Sequence, residues 1–452
     1  MSIASDEVYI PLDVKNHIDL LAERGMDVGE LRQRFQETSG RIAEGDRAGA
    51  PEWRELERDV LSADEGWRLD EPNDLEGILQ SRPESRVDAY ETVPGSAVLS
   101  DKVCGGWYGR VAGCILGKPV ECLMKESDSR AKLRELLVES DEWPMEDYVS
   151  ERTIGPYWEE GGRASWFRGG NPSLREHMKF APSDDDLNYT ALSLKLVKHG
   201  GRDFTPDTVL DAWLRNLSFF SVCTAEKIAY RNRVMGLSYP RTAQFRNTYR
   251  EWIGAQIRTD LYGYNSPGRP EEAAHMAWND AAASHTENGI YGAMWVSAAI
   301  AAAFCEIDAR AIVLRGLEQI PAGSRFAEHM RKTVEVAQAS GDDFEATFDE
   351  IAARLGHYHC VHAIPNACIV AAGLIHARGD FGKAICIAVM GGLDTDCNGA
   401  TAGSIAGVLV GRKALPERWT APLNDTLHTS VSGYARVKIS EMANETVGLI
   451  QA

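Results

Sequence analysis

Two stripes of glycine constrain the fold of this chain more than any other feature of its sequence. Residues four apart lie on one face of an α-helix, so each stripe predicts a helix with one bare face. Each interior glycine costs on the order of 1 kcal/mol of helix propensity relative to alanine, so the stripes need a structural reason. We expect the two helices to cross backbone against backbone. The stripes consist of Gly105, Gly109, Gly113 and Gly117, and of Gly399, Gly403 and Gly407.

Clusters of aspartate lie next to these helices. Asp394 and Asp396 lie among glycines at the start of the second striped helix, after the apolar run Ala384–Met390. Far earlier in the chain, residues 183–186 have the sequence Ser-Asp-Asp-Asp. Carboxylate oxygens are hard ligands of the kind that Mg²⁺, Mn²⁺ and Ca²⁺ take. Three consecutive acids repel one another unless a cation lies between them, so we predict a metal site where the two clusters meet in a helical bundle.

Composition limits the possible partners. The chain has 452 residues, a formal charge of −19 and a pI near 5.1, which argues against nucleic-acid backbones and anionic membranes as partners. Its apolar runs are broken by small residues and are too short to span a bilayer. Residues 1–10 contain Asp6 and Glu7 and no apolar core, so we expect no signal peptide. Nine cysteines without C-x-x-C pairs are interpreted as reduced thiols of a cytoplasmic protein.

The chain divides into two parts by charge and by motif content. Residues 1–96 hold most of the excess negative charge and show helical periodicity in Val14–Phe35 and Pro51–Leu61. We interpret them as an acidic helical N-terminal extension with a packing or solubilising role, with regulation as the alternative. Every motif residue lies in residues 97–452, so we expect this second part to carry the chemistry.

The second part is predicted to be all-α, because runs of alternating Val, Ile and Thr are rare and helical stretches are frequent. The first acidic cluster predicts a helix with Ser183 as N-cap, Leu187–Val197 as body and Gly200-Gly201 as its end. Residues 123–180, rich in Trp, Gly and Pro, predict a long irregular connection. Further helices are predicted over Val209–Val222, Ala273–Ser284, Ile290–Ile307, Phe344–Leu355 and Ile364–Ala377.

Three motifs follow one another along the chain: residues 109–121, which end in Gly-Lys-Pro-Val-Glu, residues 182–186 and residues 392–396. Their order and context resemble the ADP-ribosylglycohydrolase family, which includes hydrolases that remove ADP-ribose from arginine, such as the one restoring dinitrogenase reductase, and from serine. Residues 415–419, Leu-Pro-Glu-Arg-Trp, resemble a further family motif. The resemblance covers roughly residues 100–445. It implies a compact, orthogonal, all-α bundle with two Mg²⁺ or Mn²⁺ ions at its centre.

The resemblance also implies roles for single residues. Glu121 and Asp185 are expected to act in catalysis, with Glu121 handling the attacking water or the ribose. The implied metal ligands are Ser183, Asp184, Asp185, Asp394 and Asp396. The implied substrate-binding residues are His285, Asn288, Gly392 and Asn398.

Two cysteines depart from the family pattern. Cys397 stands where a Thr or Ser ligand is usual, and a thiol is a poor partner for Mg²⁺, so one metal site should be weaker or use Asn398 or water instead. Cys114 replaces an aspartate that is common after the third glycine of the first stripe. Neither change removes a carboxylate from the expected metal core, but both bear on the choice of substrate.

The resemblance implies hydrolysis of a ribosyl N- or O-glycosidic bond, most simply removal of ADP-ribose from a modified protein side chain or small molecule. Such a reaction passes through an oxocarbenium-like state that carboxylates and a metal-held water suit. Diphosphate donors are expected at Gly268-Arg269 and Asn288-Gly289, and Asp260 is a candidate to support the site from behind. Two alternatives stay open: hydrolysis of a small N-riboside or nucleotide, and binding of ADP-ribose without catalysis.

Overall fold

The computed structural model describes residues 6–43, 49–67, 69–160 and 171–451. Within these residues the chain consists of helices and one two-stranded ribbon, so the prediction of an all-α fold is confirmed. The ribbon pairs β1 (Leu427–His428) with β2 (Arg436–Val437) in antiparallel register.

The helices fall into three stretches of the chain. Before the first acidic cluster they are α1 (Asp6–Glu23), α2 (Gly29–Ala43), α3 (Gly49–Gly66), α4 (Leu75–Gln80), α5 (Ser96–Gly117), α6 (Ser129–Glu139) and α7 (Glu151–Glu160). From the first cluster to the second they are α8 (Asp185–Gly200), α9 (Pro206–Asn216), α10 (Thr224–Val234), α11 (Arg241–Gln244), α12 (Asp260–Tyr264), α13 (Pro270–Ala281), α14 (Asn288–Ala303), α15 (Ala309–Leu317), α16 (Arg325–Ala339), α17 (Phe344–Leu355), α18 (Ala363–Ala377) and α19 (Phe381–Met390). From the second cluster onward they are α20 (Thr395–Val410), α21 (Glu417–Thr420) and α22 (Ile439–Gln451). Short 3-10 turns lie at Glu121–Lys125, Phe219–Ser221, Ile253–Arg258, Arg412–Ala414 and Ala421–Leu423.

The two glycine stripes face each other where α5 crosses α20, as predicted. A Cβ atom added at Gly113 would overlap the backbone of Gly399. One added at Gly105 would overlap the backbone of Gly407. Because the early glycines of α5 meet the late glycines of α20, the helices run antiparallel, and the end of α5 lies beside the start of α20.

α14 lies at the centre of the hydrophobic core. Every residue of α14 is buried, and its sequence is apolar or small on nearly all faces, as expected for a central helix. α13 and α15 pack on it, and α19 packs on both α18 and α20. α14 also contacts α20, so the core supports the crossing of the two striped helices.

The prediction of a long irregular connection over residues 123–180 is wrong for much of its length. α6 and α7 lie within it, and the Asp128 side chain caps α6 by accepting a backbone N–H at 2.9 Å. α6 buries three leucines at helical spacing, a pattern that the neighbouring Trp, Gly and Pro residues obscured. Residues 161–170 lie outside the described residues. The helix predicted over Val209–Val222 also ends early, at Asn216.

The N-terminal extension has a small core of its own. The helices α1, α2 and α3 agree with those predicted in Val14–Phe35 and Pro51–Leu61. Their cluster of buried side chains is separate from the main core, and the boundary near residue 96 stays a prediction. The cluster consists of Val14, Ile18, Leu21, Val28, Trp53, Leu56 and Val60.

Buried ion pairs fasten the extension to the rest of the chain. Arg24 is 5% exposed and pairs with Glu287 at 2.7 Å. Arg325, at the start of α16, pairs with Glu71 at 2.7 Å and with Glu251 at 2.8 Å. Removing the extension would therefore take an arginine and a carboxylate out of a buried network, which leaves the remaining charges poorly compensated.

Adding one methyl group at the crossing should destabilise the fold. Gly113→Ala puts a Cβ on the Gly399 carbonyl and should lower the free energy of unfolding by at least about 3 kcal/mol, because backbone lies on both sides. Gly448→Ala, at an exposed position of α22, is the control: its Cβ meets nothing within 4 Å, so the change should be neutral or raise stability by up to about 1 kcal/mol. Chemical denaturation measures both. Equal stabilities would contradict the close crossing.

Breaking the buried network should cost far more than breaking an exposed ion pair. Arg24→Met leaves buried carboxylates without their cation and should lower the free energy of unfolding by about 3–5 kcal/mol. Arg34→Met is the matched control, since Arg34 and Asp59 form a pair at 2.7 Å with side chains 36% and 47% exposed; its loss should cost less than about 1 kcal/mol. Urea denaturation of both variants measures these losses in the free energy of unfolding. A loss below 1 kcal/mol for Arg24→Met would refute the bracing role.

Candidate active site

The crossing of α5 and α20 brings together acidic residues from three parts of the chain. The Thr395 hydroxyl, at the start of α20, donates to the Gly117 carbonyl at the end of α5, at 2.8 Å. The Cys397 thiol donates to the Asp186 carboxylate at 3.3 Å and so joins the second acidic cluster to the first. The 3-10 turn that follows α5 begins with Glu121. The two aspartate clusters therefore meet, as the sequence predicted.

Candidate ligand atoms in each cluster lie close enough to share an ion. All of the side chains concerned are buried, and within each of the two groups the atoms lie within 4.8 Å of one another. Each group offers two carboxylates and one thiol. The groups are Cys114, Asp184 and Asp186, and Asp394, Asp396 and Cys397. A third group, Glu71, Glu251 and Glu287, belongs to the network that Arg24 and Arg325 already compensate.

The first cluster differs from its prediction by one residue. Asp184, not Ser183, caps α8, and its Oδ1 accepts the Asp186 N–H at 3.1 Å. The prediction of Ser183 as N-cap is therefore wrong, because aspartate caps a helix as well as serine does and the helix begins one residue later. The half-buried Ser183 hydroxyl contacts Asn188 Oδ1 and the Ser430 hydroxyl instead, each at 3.1 Å.

A lysine from the end of α5 reaches the first cluster. The Lys118 ammonium donates to Asp184 Oδ2. Burial alone would lower the pKa of Lys118, but the Asp184 carboxylate outweighs it and raises that pKa. In turn, burial opposes ionisation of Asp184, yet Lys118 lowers its pKa below the usual range. Asp184 is thus a carboxylate whose two oxygens are both engaged by nitrogen donors of the protein.

The second cluster is held by a strained loop. Gly392 and Leu393 both have positive φ, 72° and 58°, a conformation that costs a non-glycine residue on the order of 1–2 kcal/mol. The Asn366 side-chain oxygen accepts the Asp394 N–H at 3.1 Å and the Asn398 amide at 2.8 Å. Asn398, predicted to bind substrate, therefore braces the loop that carries Asp394.

Gly392, also predicted to bind substrate, packs against other residues of the protein. A Cβ there would lie 2.9 Å from both the Arg130 backbone nitrogen and the Ser129 hydroxyl. The same hydroxyl accepts the Leu393 N–H at 3.0 Å. Glycine is needed at this position for packing against the start of α6, and its predicted contact with substrate stays a prediction.

The carboxylates of the two clusters and of Glu121, which together form the acidic centre, hinder each other's ionisation. The negative charge of Asp396, followed by burial, raises the pKa of Glu121 well above its usual value. Burial and Asp184 raise the pKa of Asp185 to about 8 and that of Asp396 to about 6. Burial and Asp396 likewise raise the pKa of Asp394. At neutral pH Glu121, Asp185 and Asp394 therefore favour the protonated form unless further positive charge enters, whereas Asp184 and Asp396 favour the ionised form.

A buried arginine supports the first cluster from behind. Arg110, inside the glycine stripe of α5, is fully buried and donates to Asp186 at 3.2 Å. Its other terminal nitrogen lies 2.9 Å from Asp260, the residue that the sequence suggested as a support. Arg110 was missed, although a charged residue among the glycines of a buried helix is a usable signal. It fixes Asp186 as a bracing acid rather than an open ligand.

The sequence comparison decides the family. The model of the ADP-ribosylglycohydrolase family matches residues 95–451. The chain belongs to this family. Among solved structures, an ADP-ribosylglycohydrolase-related protein complex is 18% identical, with a TM-score of 0.51 over 78% of this chain and 99% of that one, which shows a shared fold. Among curated proteins, none is similar enough to count as a match.

Membership in the ADP-ribosylglycohydrolase family supports a hydrolase of the glycosidic class. None of the helices in the described part of the chain is long and apolar enough to span a bilayer. The two cysteines that depart from the family pattern are buried, and burial together with the nearby carboxylates raises the pKa of Cys114 and Cys397 well above normal. They are neutral thiols at neutral pH, so the oxygen donors remain the fitting ligands for a hard cation.

Two of the implied substrate-binding residues of this family member lie within other buried networks. His285 Nδ1 and the Ser284 hydroxyl share a hydrogen bond of 2.8 Å. The Nε2 atom of the same ring lies 3.9 Å from Glu226. Burial, together with the Arg258 charge, lowers the pKa of His285 well below normal. His285 is therefore a neutral, packed imidazole.

Asn288 is enclosed by acids. Its amide donates to Glu71 at 3.0 Å and to Glu251 at 2.7 Å, and its carbonyl accepts the Phe326 N–H at 3.0 Å. Glu71 lies within residues 1–96, the predicted N-terminal extension. A diphosphate at the predicted Asn288-Gly289 donors would meet these carboxylates, so the folded arrangement disfavours phosphate there.

The residues present fit divalent cations. Among the residues that the structure describes, six carboxylates lie at the centre, and two basic side chains, Lys118 and Arg110, reach it. Within the described residues, Asp396 Oδ1 is buried and has no hydrogen-bond partner. A buried carboxylate oxygen without a partner is costly unless a cation compensates it. The six acids are Glu121, Asp184, Asp185, Asp186, Asp394 and Asp396.

The contribution of the acidic centre to stability without metal should fall as the pH rises from about 5 to 8. An acid whose folded-state pKa is raised keeps its proton in the folded chain while the unfolded chain releases it, so the free energy of unfolding decreases until the folded-state pKa of about 8 is passed. Glu287, with a pKa of about 8, acts in the same direction. Added Mg²⁺ or Mn²⁺ should restore the stability that the acidic centre loses, because carboxylate ligands bind metal in their deprotonated form.

Thermal unfolding with EDTA and with Mg²⁺ or Mn²⁺, each at about pH 5 and pH 8, measures this dependence of stability on pH and metal. The metal-dependent rise in Tm should be larger at pH 8. Asp394→Asn combined with Asp396→Asn should abolish the rise and make the EDTA protein less sensitive to pH. Equal metal-dependent rises at both pH values would contradict the arrangement.

Proposed function

We propose that this chain is a divalent-cation-dependent hydrolase of a ribosyl N- or O-glycosidic bond, with two Mg²⁺ or Mn²⁺ ions at the centre. One observation carries the proposal: carboxylates from three elements lie close enough to hinder each other's ionisation, and within the described residues the buried Asp396 Oδ1 has no hydrogen-bond partner. Within the part of the chain that the structure describes, Lys118 and Arg110 are too few to compensate them. A purely structural role would leave this charge without purpose and at a cost in stability.

The ligand set is proposed from the two acidic clusters. Asp184 and Asp185, with Ser183 beside them, would hold one side of the metal pair. Asp394 and Asp396 would hold the other, on the loop that Asn366 and Asn398 brace. When bound, the cations would orient the ribose hydroxyls and lower the pKa of a bound water. Lys118 would have to leave Asp184 or share it when a cation binds there.

Glu121 is the proposed acid–base residue. It begins the turn directly after α5, beside the acidic centre, and the charge of Asp396 raises its pKa. A carboxyl with a raised pKa holds a proton at neutral pH and is suited to give it to the leaving atom; with cations present it would be suited to accept one from water. Asp185, with a pKa of about 8, is the second proposed catalytic carboxyl.

The leading substrate class is ADP-ribose attached to a protein side chain or small molecule. Membership in the ADP-ribosylglycohydrolase family supports it. The partner would be ADP-ribose or a ribosylated molecule, with no role for nucleic acid or membrane, in keeping with the acidic charge of the chain. We place the protein in the cytoplasm as part of this proposal.

A second candidate substrate, a small N-riboside or nucleotide, is favoured by the surroundings of Asn288. The carboxylates of Glu71 and Glu251 occupy the hydrogen-bonding positions on its amide. A substrate without a diphosphate needs no donors at that place. Assays on ADP-ribosyl-arginine, ADP-ribosyl-serine and a panel of nucleosides separate the two candidates.

Two variants test the proposed roles against each other. Asp394→Ala removes a direct ligand and should lower metal stoichiometry and abolish turnover together. Glu121→Ala should leave close to two ions bound and reduce turnover by about 10²–10⁴-fold, the usual range for acid–base catalysis. Calorimetric titration with Mg²⁺ and Mn²⁺, beside turnover assays, measures both quantities.

Three results would overturn the assignment. The first is the absence of metal binding by the unmodified protein at millimolar cation. The second is full activity with two bound ions in Asp394→Ala. The third is loss of metal from Glu121→Ala, which would make Glu121 a ligand and leave the acid–base residue to be found elsewhere.

A further inference from the structure

The loop that carries Asp394 depends on support from outside itself. We call residues 391–394 the Asp394 loop. Leu393 within it has a φ of 58°, a conformation that a non-glycine residue keeps only where its surroundings fix it. Asn366 of α18, which is fully buried, accepts the Asp394 N–H at 3.1 Å and the Asn398 amide at 2.8 Å. The position of Asp394 therefore depends on where the Asn366 side-chain oxygen lies.

The Asn366 side chain is oriented by the residues just before α18. We call residues 359–362 the bracing segment. The Asn366 amide nitrogen donates to the Cys360 carbonyl at 2.8 Å and to the His362 carbonyl at 2.9 Å. With its N–H groups used in this way, the amide presents its oxygen to the Asp394 loop. A displacement of the bracing segment would therefore move the acceptor of the Asp394 N–H.

The bracing segment is held by two parts of the chain. From the main part, the Ile253 N–H donates to the Val361 carbonyl at 2.9 Å, and the Trp252 ring stacks on the His359 ring with centroids 4.1 Å apart. From the N-terminal extension, Glu23 Oε1 accepts the His359 N–H at 2.7 Å. Glu23 is the last residue of α1 and is 8% exposed. The extension therefore supplies the hydrogen-bond partner of the first backbone N–H in the bracing segment.

The end of α1 is fixed as well, so Glu23 keeps its place. Arg325 donates to the Glu23 carbonyl at 3.3 Å, and the neighbouring Arg24 pairs with Glu287 at 2.7 Å. Burial raises the pKa of Glu23 to about 8. At neutral pH the Glu23 carboxyl is therefore mainly neutral, and it acts on the bracing segment as a hydrogen-bond acceptor rather than as a charge.

We propose that the N-terminal extension takes part in cation binding, with Glu23 as a positioning residue. Glu23 fixes the bracing segment, the bracing segment orients Asn366, and Asn366 places the backbone of Asp394. We call this series of hydrogen bonds the Glu23 relay. The inference rests on the proposed function, because it concerns the cation that Asp394 and Asp396 would hold. The extension thereby sets the affinity of the site and does more than pack or solubilise.

The expected size of the effect follows from the number of contacts in the relay. Without the Glu23 carboxyl, the His359 N–H turns to water, which does not fix the bracing segment in one place. The orientation of Asn366 then rests on the contacts from the main part of the chain. Partners that support a metal ligand typically account for about 10–100-fold in metal affinity. Glu23 acts through further contacts, so we expect a smaller effect, of about fivefold or more.

Variants of the full chain test the relay. Glu23→Ala removes the acceptor, whereas Glu23→Gln keeps an oxygen for the His359 N–H. Glu57→Ala is the matched control, because Glu57 belongs to the same extension, is 9% exposed and accepts from the Arg246 side chain at 2.9 Å. Glu57 thus also joins the extension to the main part of the chain, but its partner lies outside the bracing segment. Glu23→Asp, which is one carbon shorter, replaces Glu23→Ala if that variant does not fold.

Calorimetric titration with Mn²⁺ and hydrogen exchange of the metal-free protein give the readouts. Glu23→Ala should raise the Kd for Mn²⁺ by at least about fivefold and speed amide exchange in a peptide spanning residues 392–398 by a similar factor. Glu23→Gln and Glu57→Ala should stay within about twofold of the unmodified protein in both quantities. A merely structural role of Glu23 would lower Tm in Glu23→Ala and Glu57→Ala alike and leave the Kd of the folded protein unchanged.

Three results would contradict the proposal. The first is a Kd for Mn²⁺ in Glu23→Ala equal to that of the unmodified protein. The second is an equal loss of affinity in Glu23→Ala and Glu57→Ala, which would make the effect one of general destabilisation. The third is an equal loss in Glu23→Ala and Glu23→Gln, because the hydrogen bond to His359 would then not be its cause.

The relay and the proposed function can fail separately. If the unmodified protein binds no Mn²⁺ at millimolar concentration, the proposed function fails, and faster exchange near Asp394 in Glu23→Ala but not in Glu57→Ala still supports positioning of the Asp394 loop by Glu23. If the unmodified protein binds Mn²⁺ and hydrolyses a ribosylated substrate, and Glu23→Ala keeps the same Kd and exchange rate, the hydrolase stands and the relay falls.

Discussion

The contact of backbone with backbone between α5 and α20 is the constraint on which the rest of the structure depends. It sets the distance between the helices and, because the helices are antiparallel, it brings the end of one to the start of the other. Glu121 follows α5 and Asp394 precedes α20, so the crossing alone brings these acids to one place. α8 then adds Asp184 and Asp185 from a third direction.

Helix ends shape the electrostatics of that place. The starts of α8 and α20 carry partial positive charge toward their aspartates, each worth about 0.3–1 kcal/mol. The end of α5 carries partial negative charge to the same centre and cancels part of this benefit. Lys118 and Arg110 compensate some of the remainder, through Asp184 and Asp186. The centre as folded is thus short of positive charge, which is a property of a site that takes up cations.

Much of the fold and the outline of the site could be predicted from local patterns. Glycines at spacing four and paired aspartates have direct geometric consequences, so the crossing and the meeting of the clusters followed from them. Features that depend on distant partners did not. Arg110 contacts Asp186, 76 positions away, and Asn288 contacts Glu71, 217 positions away. A charged residue in a buried helix can be noticed in a single sequence, but the sequence does not identify its distant partner.

The helix starts show the same limit on a smaller scale. Ser183 and Asp184 are equally good caps, so propensity could not choose between them. The leucines of α6 lie in a stretch whose Trp, Gly and Pro residues favour irregular structure, and tertiary burial decides in favour of the helix. In both cases the local preferences are close in free energy and packing selects the outcome.

The crossing also determines when the site can exist during folding. Thr395 and Gly117, which join the two striped helices, lie 278 positions apart in the chain. A contact of that separation closes a very large loop, and chains dominated by such contacts fold slowly. On the ribosome, α5 and its bare glycine face emerge long before α20 is synthesised. The acidic centre therefore assembles only when nearly the whole chain is available, and until then the glycine face of α5 is exposed to other partners.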